Sequence, residues 1–177
     1  VFFNANSNGL FPHIIYNNLS RTKLDPDANL MDGAQGNSYA NQSYGTYHSY
    51  LQTAIDSVEA NFDSGILLNL VEHDHATQQF ELGYLLSESD LNLSDEVLNT
   101  GYSTLSSIGH LSSISAASFA ETLRGYSSFG NYLFAASYNG SSFQVVPTLD
   151  NPNAPSGGYT SGGYTLTAYG KERQGKM

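Results

Sequence analysis

Residues 66–76 run Ile66-Leu67-Leu68-Asn69-Leu70-Val71 directly into Glu72-His73-Asp74-His75-Ala76. The apolar run favours burial. The four consecutive ionisable side chains after it resist burial unless they are paired, hydrogen-bonded or bound to something. Charge is thin elsewhere, at 12% of residues. Any fold of this chain has to resolve the junction at Val71-Glu72, and that junction is where chemistry is expected.

Helix is the expected setting. Tyr47, Tyr50, Leu51, Ala54, Ile55, Val58 and Phe62 recur at spacings of three and four, which predicts an amphipathic helix over about 46–61. His48 lies beside its apolar face and reads as a partly exposed structural histidine. Asp63-Ser64-Gly65 breaks the helix. Leu67, Leu70, Val71 and Asp74 would share one face of the next, so 66–86 reads as one helix, or as two with a loop between. Ser94, with Asp95 and Glu96 behind it, is an N-cap with anions at the favourable end of the dipole. Val97, Leu98, Tyr102, Leu105 and Ile108 would then face inward. Ser118-Phe119-Ala120-Glu121 fits a capping box, with Leu123 and Tyr126 on the apolar face. Glu121 and Arg124 are spaced to pair.

The remainder is less regular. Gly9 to His13 and Asp25-Pro26-Asp27 read as turns, and 31–45 as loop or coil. Phe143-Gln144-Val145-Val146 is a possible short strand. Residues 151–177 form a Pro/Gly/Tyr-rich arm in which Gly-Gly-Tyr-Thr occurs at 157–160 and 162–165, with a basic, solvated end from Lys171 to Lys176. The expected architecture is mainly α: one helical domain over 1–150, of about four to six helices around a pocket, with an irregular N-terminal segment and the C-terminal arm.

Composition narrows the function. A net charge of −10 argues against nucleic acid as a partner, because phosphates would be repelled. No apolar run is long enough to span a membrane. Cys is absent, which removes disulfides, thiolate ligands and a Cys nucleophile. The surface is rich in Tyr, Ser, Asn and Gly, and the sequence contains the sequons Asn18-Leu19-Ser20, Asn41-Gln42-Ser43, Asn92-Leu93-Ser94 and Asn139-Gly140-Ser141. Together these lead us to expect a secreted protein. The start at Val1-Phe2-Phe3-Asn4, without Met, reads as a processed or trimmed end.

Four stretches resemble the fungal chloroperoxidase and peroxygenase family of haem-thiolate peroxidases. Gly9-Leu10-Phe11-Pro12-His13 is similar to the family's N-terminal segment. Glu72-His73-Asp74-His75-Ala76 is similar to its Glu-His-Asp-X-Ser motif. Asn92-Leu93-Ser94-Asp95-Glu96 and the helix holding Glu121 and Arg124 resemble the two segments that follow. The resemblance covers about 5–135 and implies a helical fold with haem between helices. It also implies His73 and Asp74 as the catalytic acid–base pair, His13 and Glu72 near the cofactor, and magnesium at Glu72. The implied reaction is peroxide-dependent oxidation of a small organic molecule.

The departures bear on the chemistry. The family's axial Cys, whose thiolate favours O–O cleavage, is missing. Ala76 stands where a Ser oxygen would help hold magnesium, and no Glu lies in 135–150. These losses favour a second reading: a haem-free relative that binds a small apolar ligand or does acid–base chemistry with His73 and Asp74. A third reading is a divalent-metal site drawn from Glu72, His73, Asp74 and His75. Consecutive residues on a helix point in different directions, so all four cannot share one ion; His-X-His spacing suits a strand better. The fourth reading is a non-catalytic extracellular structural or surface protein.

Overall fold

A computed structural model describes residues 11–62, 65–138 and 140–171. Helices dominate, and the chain divides into two compact units, Val1–Gly65 and Ile66–Met177. Among the described residues no helix is long and apolar enough to cross a membrane.

In the first unit, Asn29 starts helix α1 (Leu30–Ala34) by accepting from the amides of Met31 and Asp32. Asn37 does the same for α2 (Ser38–Asn61) with Tyr39 and Ala40. Each satisfies amides that a helix start leaves without partners. Residues 31–45 are therefore largely helical rather than coil. The reason is tertiary: Ala40 and Tyr44, one turn apart, bury against Leu24 and Ala34. The Tyr44 hydroxyl also donates to the Ala28 carbonyl at 2.9 Å. Further along α2, Leu51 and Ile55 are buried, while Tyr50 and Phe62 stay exposed. His48 is half-buried and its Nε2 donates to the Pro26 carbonyl at 3.2 Å, a structural role.

The second unit departs from expectation at its start. Residues 66–79 contain no helix. From 65 to 70, half-buried and exposed positions alternate, the period of extended backbone and not of a helix. Ile66, Leu68 and Leu70 face outward. Strand β1 (Phe80–Glu81) then pairs in parallel with Val145–Val146, with Phe80 opposite Val145 and Glu81 opposite Val146. That pairing is made by Phe80 N–H to Gln144 and Leu82 N–H to Val146, each at 2.8 Å.

Short helices follow: α3 (Glu88–Leu91), α4 (Asp95–Leu98), a 3₁₀ turn (Tyr102–Thr104), α5 (Gly109–Ile114), α6 (Phe119–Arg124) and α7 (Phe129–Ala135). Their core is Tyr84, Leu86, Leu91, Leu98, Phe119, Ala120 and Leu123. Burying each of the leucines contributes about 1.5–3 kcal/mol. Ser94 sits at the N-cap of α4 without making a side-chain cap bond. That helix ends at Leu98 and Gly101 follows at φ 152°; Val97 and Leu105 are exposed rather than facing inward. Ser118 caps α6 through the Glu121 amide, but Tyr126 lies beyond the helix end and is exposed. The expected Glu121–Arg124 pair does not form: Glu121 accepts from Ser127, and Arg124 turns inward to Asp95.

A hairpin of β2 (Ser137–Tyr138) and β3 (Ser141–Ser142) leads to β4 (Val145–Val146), the partner of β1. The Gly/Tyr-rich stretch packs on this same unit. Ala154 and Tyr159 lie against the core, and Thr165 is buried. A π-helical turn spans Leu166–Lys171. The sequence features at Val1 to Leu10, Asp63-Ser64, Asn139 and Glu172 to Lys176 lie outside the described residues.

Candidate metal centre

Extended backbone sorts the ionisable run by alternation. His73 and His75 turn to the half-buried side, while Glu72 and Asp74 turn to solvent. Six residues on from His75, β1 supplies Glu81, whose side chain is 1% exposed. The next-door Phe80 faces the other way and stacks edge-on with Phe143.

These three side chains converge. His75 Nδ1 lies 3.0 Å from both Glu81 oxygens. His73 Nε2 is 3.9 Å from Glu81 Oε1. The two imidazole rings are 4.9 Å apart, tilted by 32°. One donor atom from each residue lies within 4.8 Å of the others. Among the described residues this is the only such group of His, Asp and Glu.

Local bonds set the geometry. His73 Nε2 donates to the Gln79 carbonyl at 2.8 Å, and its Nδ1 accepts from the His75 amide at 3.3 Å. Gln78 donates to the His75 carbonyl at 2.9 Å. The Thr160 amide donates to Glu81 Oε2 at 2.7 Å. A buried carboxylate without such partners would be costly. Beside it, burial raises the pKa of the Tyr159 phenol, with smaller contributions from Tyr84 and Glu81. Its hydroxyl donates to the Leu82 carbonyl at 2.6 Å.

Two imidazoles and one carboxylate form a donor set for a first-row divalent ion. An ion there would replace the proton between His75 Nδ1 and Glu81, and His73 Nε2 would give up its proton and its bond to the Gln79 carbonyl to join it. The cluster does not fit a haem: the rings converge on one carboxylate, and the Gly158 backbone lies against His75, so closely that a Cβ at 158 would sit 2.6 Å from Cδ2.

The other candidate residues lie apart from the cluster. Glu72 and Asp74 are exposed; of the site residues that the resemblance implies, only His73 is in it. His13 belongs to the first unit, where it lines an open groove with Ile14, Tyr16, Tyr50 and Ser57. Sequence reasoning missed Glu81. The available signal was the His-X-His spacing, which already favoured a strand, followed by one acidic residue between the apolar Phe80 and Leu82.

No protein family, characterised relative or solved structure matches this chain.

Proposed function

We propose that the chain binds one divalent transition-metal ion of the zinc class through His73, His75 and Glu81. The observation that carries this reading is the convergence of two imidazoles on a single buried carboxylate. Three protein ligands leave a coordination position open, the arrangement of catalytic and not of structural zinc sites. The imidazoles are 17% and 25% exposed, so water can reach that position. A zinc ion lowers the pKa of such a water to about 7, supplying a nucleophile for hydrolysis. The site is thus of the kind that supports metal-assisted hydrolysis of a small substrate.

The test is zinc titration of chelator-stripped protein against a chromophoric competitor. One equivalent should bind, and His75→Ala or Glu81→Gln should abolish binding. Equal binding by the variants and the parent sinks the reading. The haem-peroxidase reading implied by the sequence resemblance makes a different forecast: natively purified protein would show a Soret band and little dependence on Glu81.

A further inference from the structure

The duplicated Gly-Gly-Tyr-Thr divides its labour. The second copy packs away from the cluster: a Cβ on Gly162 would meet Leu166, Leu85 and the Gly83 carbonyl. The first copy lies directly on it. Gly158 has φ +121°, a region that glycine adopts without strain, and its backbone covers one edge of His75. The Thr160 amide holds Glu81 Oε2 at 2.7 Å. Two further bonds fasten this turn to the chain after β1: Tyr159 hydroxyl to the Leu82 carbonyl, and the Leu85 amide to the Ser161 carbonyl, each at 2.6 Å. Gly83 makes the close approach possible, since a Cβ there would lie 2.5 Å from the Thr160 carbonyl oxygen.

We propose that the turn 158–160 is the outer shell of the metal centre, with the Thr160 amide as its positioning group. The inference rests on the metal-binding reading. The amide engages one lone pair of Oε2, so Oε1, which is nearest to His73 and equally 3.0 Å from His75 Nδ1, is the oxygen offered to the ion. Glu81 then binds through one oxygen, in keeping with a four-coordinate zinc-class ion whose fourth ligand is water. Outer-shell partners that orient a ligand change metal affinity by about 10- to 100-fold when removed. Thr160 contributes its backbone and not its hydroxyl. The residue type at 160 therefore matters only where it removes the N–H.

The experiment compares Thr160→Pro, which lacks the amide hydrogen, with Thr160→Ala, which keeps it, in the full chain. Zinc affinity and the visible absorption spectrum of the cobalt(II)-loaded protein are the readouts. Thr160→Pro should weaken zinc by about 10- to 100-fold and alter the cobalt spectrum. Thr160→Ala should match the parent in both. Parent-like behaviour of Thr160→Pro overturns the proposal, as does equal loss in the two variants. Should the proline variant fail to fold, amide exchange on the parent decides: zinc should slow exchange at Thr160, and unchanged exchange overturns the proposal. A parent chain that binds no zinc defeats the metal reading itself and this inference with it. A parent that binds zinc normally, with Thr160→Pro indistinguishable from it, defeats this inference alone.

Discussion

Arg124 and Asp95, 29 residues apart, meet through two hydrogen bonds from the guanidinium to Asp95 Oδ1, at 2.9 Å and 2.6 Å. Arg124 is 8% exposed and spends its other hydrogens on three backbone carbonyls, those of Leu91, Leu93 and Pro152. The residue thereby ties the end of α3, the start of α4 and the turn near Pro152 to α6. Each buried acceptor left unsatisfied costs about 1–3 kcal/mol, so Arg124→Ala should lose at least about 3 kcal/mol in urea denaturation. Asp95 is 62% exposed, and Asp95→Asn should cost about 1 kcal/mol or less. Equal melts for the two variants would contradict this division.

Glu81 should matter even without metal. Glu81→Ala leaves the Thr160 amide and the His75 ring without their acceptor, at about 1–3 kcal/mol each. The turn at 158–160 should loosen with it. Faster hydrogen exchange at Thr160 and Leu85 in the variant is the expected signature; parent-like exchange at both would contradict it.

Metal removal should act through mass action. If zinc binds only the folded chain, an excess of 100 times Kd raises stability by about 2.7 kcal/mol, and a chelator reverses it. Thermal melts with zinc, without it, and with chelator added back should show that rise and its reversal. His75→Ala should show neither.

Burial lowers the His48 pKa below its ordinary 6.5, only partly offset by the bond to Pro26 and by Asp27. The folded chain then takes up this proton at lower pH than the unfolded chain does. Stability from His48 is full above about pH 6.5 and is lost as pH falls through the folded value. His48→Gln should flatten the pH dependence of the first unit across that window. An unchanged slope would show that His48 does not carry it.

Three glycines separate space from strain. A Cβ at Gly33 would collide with the Asp25 carbonyl oxygen, and one at Gly130 with the Pro147 carbonyl oxygen. At Gly45, inside α2, a Cβ meets nothing within 4 Å. Gly45→Ala should raise stability by up to about 1 kcal/mol through helix propensity. Gly33→Ala and Gly130→Ala should each lower the melting temperature. A rise at 33 or 130 would mean that the backbone there yields easily.

Much of the helical framework was legible because its signals are local. Apolar spacing located most of α2 and its buried Leu51 and Ile55. Ser94 and Ser118 marked the starts of α4 and α6, and His48 was recognised as structural. The misreadings have one cause. Residues 66–71 match a helical face when only i, i+3 and i+4 are counted, and 31–45 look like coil by composition. The actual states depend on partners elsewhere in the chain: Val145-Val146 for β1, at 80–81 in the stretch 66–86 read as helix, and Leu24 and Ala34 for the start of α2.

The sequence by itself determined a helix-rich chain and directed attention to His73, and its His-X-His spacing hinted at extended backbone. Only the tertiary structure supplied Glu81, turned Asp74 and Glu72 outward, and brought Thr160 onto the carboxylate from 79 residues away. The physical reason is reach. Helix spacing and caps are settled within a few residues, whereas a parallel strand pair and a buried carboxylate are stable only once distant segments have met.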